Sequence, residues 1–173
     1  MTSAAKVASL EDTVAWRDEE RRAGRRVVFT NGCFDLLHRG HVDLLREARE
    51  QGDRLVVAIN DDESIRRLKG PGRPLVPQED RAELLAALEM VDRVVVFADE
   101  TPAAVIRTLL PDVLVKGADY ALEEIVGRDT VEEAGGRVHR VRLTAGRSTR
   151  DLIRKVIERY PSAGAAPTEE ENP

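Results

Sequence analysis

The sequence predicts a doubly wound, parallel α/β sheet of five strands. Two observations carry this. Short apolar, β-branched runs recur along the chain, and helix-patterned segments fill the gaps between them. A third sharpens it: four of the runs are nearly continuous in apolar residues, as expected of strands buried on both faces in a parallel sheet.

The strands fall at 26–30 (RVVFT), 54–60 (RLVVAIN), 93–97 (RVVVF), 113–116 (VLVK) and 137–143 (RVHRVRL). The fifth alternates, with His139 and Arg140 between Val138 and Val141, and reads as an edge strand with one wetter face. Helical pattern covers 41–51, where Val42, Leu44, Leu45 and Ala48 form a stripe that ends at Gly52. It also covers 78–90, rich in Leu and Ala. At 101–110 Thr-Pro opens the segment and Pro111 closes it. At 148–160 Leu152, Ile153, Val156 and Ile157 recur before Pro161.

The segment 10–24 reads as an amphipathic helix with Leu10, Val14 and Trp16 packing inward. Residues 161–173 (PSAGAAPTEEENP) read as a disordered acidic tail. The expected organisation is an extension at 1–25, one domain at 26–160, and that tail. In such a sheet ligands bind beyond the carboxyl ends of the strands, so function is sought after Thr30, Asn60, Phe97 and Lys116.

Composition narrows the classes. The chain has 173 residues, 42% hydrophobic and 34% charged, a globular profile. Its net charge of −5 and six aromatic residues disfavour nucleic acid as the partner. No apolar run reaches the roughly 18 residues of a membrane helix, and no secretory signal opens the chain. With Cys33 the single cysteine, no internal disulfide forms, and a cytoplasmic location is the default.

Chemistry concentrates after the first strand, in Thr30-Asn31-Gly32-Cys33-Phe34-Asp35-Leu36-Leu37-His38-Arg39-Gly40-His41. Two of the three histidines stand three apart around a glycine, at a helix start where free N–H groups favour an anion. Imidazoles at this spacing share a helical face and can donate to one phosphate chain. Gly32 and Gly40 admit close backbone approach. A zinc site from Cys33, Asp35, His38 and His41 is the weaker reading, because the Cys33–His38 gap spans a turn. GxxxxGK[ST] and GxGxxG do not occur, and Lys69-Gly70-Pro71-Gly72 does not link a strand to a helix.

Other polar groups follow the strands: Asn60 and Asp61, then Lys116, Gly117, Asp119 and Tyr120. Ser148 and Thr149 open the last helix, where they can cap it and hold phosphate. Lys69 and Lys116 are two of four lysines in an arginine-rich chain, compact cations suited to phosphate.

The Thr30–His41 signature resembles that of the HxGH nucleotidyltransferases, the cytidylyltransferase-like superfamily, and Ser148-Thr149 resembles its second, hydroxyl-rich signature. With Arg67-Leu68-Lys69-Gly70 and Leu114–Tyr120, the run 26–157 is most similar to the adenylyltransferases of ADP-heptose synthesis. That resemblance implies a Rossmann-like nucleotidyltransferase fold and transfer of AMP from ATP to a heptose 1-phosphate. It implies Mg²⁺ on the phosphates, a homodimer, and a sugar kinase on a separate chain, because few residues precede the first strand.

The resemblance casts His38, His41 and Lys69 as catalytic. Thr30, Asn31, Gly32, Phe34, Asp35, Gly40, Lys116, Gly117, Asp119, Tyr120, Ser148 and Thr149 would hold the nucleotide. Asn60, Asp61 and Arg81 would face the acceptor, and no protein metal ligands are expected. The chain departs from the second signature at Arg150, where threonine is usual, and at Arg147, where a small or apolar residue is usual. Within the superfamily, a glycerol 3-phosphate cytidylyltransferase and an FMN adenylyltransferase are the alternatives. A nucleotide-sensing module without turnover is the alternative outside it.

Overall fold

The computed structural model describes residues 2–118, 121–142 and 148–160. Its strands β1 (Val27–Gly32), β2 (Arg54–Asn60), β3 (Arg93–Phe97), β4 (Val113–Gly117) and β5 (Arg137–Val141) form one sheet. Their order is β3-β2-β1-β4-β5, and every pairing is parallel. The order reverses between β1 and β4, so a crevice opens there at the carboxyl ends.

Alternation along each strand divides the core into two layers. Val28, Leu55, Val57, Val94 and Val113 point to one face, against Leu45 and Ala48 of α2 (Arg39–Glu50) and Leu85 of α4 (Gln78–Ala86). Val27, Phe29, Val56, Ala58, Val95 and Leu114 point to the other. There they meet Val105, Ile106 and Leu109 of α5 (Ala103–Leu109) and Val131 of α6 (Arg128–Glu133).

Helix α1 (Leu10–Arg22), capped by Ser9 on Asp12 N–H, lays Leu10, Val14 and Trp16 on this second layer. Ahead of it, Val7 bridges to Val94 in parallel and lengthens the sheet beyond β3. Arg93 donates to Ala5 O at 2.7 Å and stacks over Trp16 at 5.1 Å. The N-terminal residues are therefore built into the sheet edge.

β2 and β3 match the strands read from sequence, and β5 lies at an edge with its outer residues wet. β1 runs through Gly32 and α2 begins at Arg39, so the histidine signature is shared between a loop and the first helical turn. Leu143 and Arg147 fall outside the described residues, as do Asp119, Tyr120 and the expected tail over 161–173.

Helices α3 (Asp62–Lys69) and α6 have no counterpart in the periodicity reading. Each is short and buries few residues, Ser64 and Ile65 in α3 and Val131 in α6, so neither shows a stripe. α7 (Thr149–Arg159) follows N-cap Ser148.

Candidate active site

An open cleft of about 1180 Å³ lies over the carboxyl ends of the strands. The loop after β1 forms its floor. Phe34 takes a left-handed backbone (φ 46°), a conformation costly for a bulky residue and common at functional sites. This turn lays the buried Phe34 ring 4.9 Å from that of His41 and close beneath Gly32, where an added Cβ would stand 3.1 Å from Phe34 Cε2. Gly32 thus keeps the loop low under whatever the cleft holds.

His38 is the N-cap of α2, and His41 sits one turn on. Their rings stack with centroids 3.8 Å apart. The buried Nδ1 atoms of both rings have no hydrogen-bond partner among the described residues. Burial lowers His41 to about 4, with His38 and Lys69 pushing it the same way. Burial also lowers His38, opposed by Asp151 in the first turn of α7. Both rings are therefore neutral at pH 7 and present N–H donors without competing charge of their own. Lys69 at the end of α3 and Ser148 at the start of α7 line the same cleft as this pair.

Thr30, Asn31, Gly32, Phe34, His38, Gly40 and His41 all line the cleft. So do Asn60, Lys69, Lys116, Gly117, Ser148 and Thr149. Thr30 Oγ1 is buried without a partner among the described residues. Lys116 Nζ donates to Asn31 Oδ1, tying β4 to β1 across the point where strand order reverses. Ser148 accepts from Asp151 N–H at 3.1 Å, so it caps α7 at the cleft wall. Arg150 lines the same wall.

Three expected contact residues lie off the cleft wall. Arg81 is fully buried. Its guanidinium donates to Val76 O at 3.0 Å, Cys33 O at 2.7 Å, Asn60 O at 2.9 Å and Asp62 Oδ1 at 2.7 Å. Its fork of donors is spent on the ends of β1 and β2 and on the approach to α4, so it frames the site and leaves substrate to others. Asp35 is 2% exposed and accepts from Arg73 and from the N–H groups of Leu75 (2.8 Å) and Val76 (3.0 Å). These bonds hold its carboxyl below the usual range although burial opposes them. Asp61 caps α3, accepting from Ser64 N–H at 2.7 Å.

The structure adds wall residues that motif reading did not single out. Glu100, Thr101 and Pro102 come from the β3–α5 loop, and Glu124, Ile125 and Val126 from the segment after β4. Placement just beyond Phe97 and Lys116 was the available signal, through the rule that strand ends carry function. Among the described residues no group of three or more His, Cys, Asp or Glu is placed to hold a metal ion. No helix there is long and apolar enough to cross a membrane.

The chain is similar to the bifunctional protein HldE of Syntrophotalea carbinolica, 55% identical over 152 residues, which cover 88% of this chain and 30% of that one. It is similar also to the HldE of Mesorhizobium japonicum, 59% identical over 142 residues, or 82% and 28% of the two chains. It thus spans about a third of the length of these curated relatives. A solved structure, the lipopolysaccharide core biosynthesis protein from Thermoplasma volcanium GSS1, superposes with a TM-score of 0.58 at 29% identity, covering 70% of this chain and 98% of that one. The pantoate-β-alanine ligase of Francisella tularensis shares the fold, with a TM-score of 0.55 at 14% identity, over 79% of this chain and 66% of its own. The cytidylyltransferase-like family model matches residues 29–160, and with the cleft built from those residues the chain belongs to the cytidylyltransferase-like family.

Proposed function

We propose that the chain transfers AMP from MgATP to D-glycero-β-D-manno-heptose 1-phosphate, giving ADP-heptose and pyrophosphate. The observation that carries this reading is the stacked neutral pair His38–His41 in one cleft with Lys69, Lys116 and the helix start at Ser148. Similarity to the HldE proteins supports the adenylyl and heptose assignments.

In the proposed reaction an oxygen of the sugar 1-phosphate forms a bond to the α-phosphorus of ATP. The bond from that phosphorus to the bridging oxygen breaks, and pyrophosphate leaves with the electron pair. A phosphate monoester has its second pKa near about 6, so the acceptor is already an anion at neutral pH and no general base is required. The protein's task is to position the reactants and stabilise spread negative charge.

His38 and His41 donate to oxygens on the α- and β-phosphates. Lys69 bridges donor and acceptor phosphates. Thr30, Asn31 and the backbone at Gly32 and Phe34 bracket the α-phosphate, with Gly40 in the first turn of α2 beside them. Ser148 and Thr149 hold the far phosphates at the α7 N-terminus, with Arg150 beside them. Lys116 and Gly117 border the nucleotide. Mg²⁺ arrives as part of the nucleotide substrate. Among the described residues Glu100 and Glu124 are the carboxylates on the cleft wall and form no metal cage, so a Mg²⁺ brought by the nucleotide would be held by phosphate and water oxygens.

We place this catalytic unit at 26–160, acting in the cytoplasm as a homodimer, with a sugar kinase activity forming its acceptor. Pyrophosphate release, measured with ATP or CTP against heptose 1-phosphate or glycerol 3-phosphate, tests the reading. Turnover with ATP and heptose 1-phosphate alone is expected. Turnover with CTP and glycerol 3-phosphate would replace both substrates.

A further inference from the structure

The cleft is walled from both halves of the sheet. Toward β4 and α7 its wall includes Gly117, Ile125 and Val126, small and apolar groups that suit the flat face of a base, beside the charged Lys116, Glu124 and Arg150. Toward β2 and β3 it includes Asn60, Lys69, Arg73, Glu100 and Thr101, polar groups of both signs.

The loop presenting Glu100 and Thr101 is firmly held. Asn60, itself 4% exposed, donates through Nδ2 to Asp99 O at 3.2 Å. Asp61 N–H donates to Phe97 O at 2.8 Å. Arg67 donates to Ala98 O at 2.7 Å and lies 3.7 Å from Glu100 Oε1. Arg67 stands two residues before Lys69 on α3, so one helix both anchors this loop and carries the cation assigned to the acceptor phosphate. Buried Pro102 then starts α5 and fixes the exit of the loop.

We infer that Glu100 and Thr101 are specificity-determining residues that read the hydroxyl groups of the acceptor, with its phosphate directed to Lys69. The inference rests on the sugar-phosphate reading above and assigns its acceptor end. A carboxylate repels a phosphate dianion and accepts hydrogen bonds from hydroxyl groups. Glu100 therefore excludes the reversed pose and takes neighbouring hydroxyls of a polyol, while the Thr101 hydroxyl can donate or accept beside it. A cation at one end and a carboxylate at the other fix the direction in which the acceptor lies, and hence which oxygen meets the α-phosphorus.

The test is steady-state kinetics on the full chain with Glu100→Ala, Glu100→Gln and Thr101→Val, varying ATP and heptose 1-phosphate separately. Melting curves confirm that each variant folds; both side chains are exposed, so folding should be unaffected. Glu100→Ala is expected to raise KM for heptose 1-phosphate by about 10- to 100-fold, the range for losing hydrogen bonds to a charged group. KM for ATP should stay within about twofold. Glu100→Gln, which keeps one acceptor oxygen, should fall between.

A monodeoxy heptose 1-phosphate lacking the hydroxyl that Glu100 reads should bind wild type as poorly as the normal sugar binds Glu100→Ala, with no further loss when both changes are combined. Unchanged sugar KM in an active Glu100→Ala protein, or an equal rise in KM for ATP, would overturn this inference and leave the reaction standing. Wild-type protein that turns over no sugar phosphate would overturn the reaction and this inference together.

Discussion

His41 shows how a single side chain links stability to chemistry. Its imidazole is held at about 4 in the folded chain, against an ordinary 6.5. As pH falls below about 6.5, the unfolded chain takes up a proton that the folded chain resists. The stability associated with this group is complete above about 6.5 and declines toward pH 4. Thermal unfolding between about pH 7 and 5, largely above the carboxylate range, should show a falling Tm. His41→Gln should flatten that slope, with the residue lowered at His38 still contributing. An equal slope in both proteins would show that His41 is not held neutral.

The paired histidines were legible because spacing alone brings two residues of one helical turn together. Glu100, Thr101, Ile125 and Val126 were not, since they are distant in sequence from that turn and meet it only through the strand order. Arg81 was misplaced as an acceptor contact for a related reason. A lone arginine near a signature carries no mark of whether it faces solvent or carbonyls, and here its acceptors come from residues 33, 60, 62 and 76.

Between elements, the Arg81 guanidinium is the principal fastener. It joins the β1 loop, the end of β2, the first residue of α3 and the segment entering α4. Asp35 adds a parallel tie from the β1 loop to Arg73, Leu75 and Val76. Together they fix α3, and therefore Lys69, relative to the histidines. Arg81→Ala would leave the Asp62 carboxylate without this partner and three carbonyls short of a donor. It should cost about 3–5 kcal/mol of stability. Arg81→Lys should recover only part of this, because an ammonium cannot reproduce the planar fork. Urea denaturation measures both. An Arg81→Ala midpoint equal to wild type would remove the fastener from the account.

Strands were easier to read than the helices that carry this network. β2 and β3 announce themselves by continuous apolar runs. α3 presents Asp-Glu-Ser-Ile-Arg-Arg-Leu-Lys, a mostly charged helix whose place is set by its Asp61 cap and by tertiary bonds.

At the level of the whole molecule, the parallel sheet and its reversal between β1 and β4 gather distant loops at one edge. That much followed from the alternation of strand and helix. The sequence reading set residues 1–25 apart as an extension, and it did place Leu10, Val14 and Trp16 inward. It gave no hint that Val7 would pair with Val94, because one bridge has no periodicity. α1 and the Val7 bridge cover the β3 edge and part of the second core layer. Removing residues 1–22 should expose Trp16-contacting surface and an open strand edge, lowering Tm by several degrees and promoting self-association. Scattering during a thermal ramp reads both effects. Unchanged melting and monodispersity would show that this segment is not part of the domain.

The account as a whole claims that nucleotidyl transfer occurs at the histidine pair. The most direct measurement is the kcat of wild type and His41→Ala with MgATP and heptose 1-phosphate at pH 7.5, with ADP-heptose and pyrophosphate both quantified. Wild type should form the two products in equal amounts, and folded His41→Ala should do so about 10²- to 10³-fold more slowly, the usual loss for one transition-state donor. Near-normal turnover in a folded His41→Ala protein, or pyrophosphate without the nucleotide sugar, would contradict it.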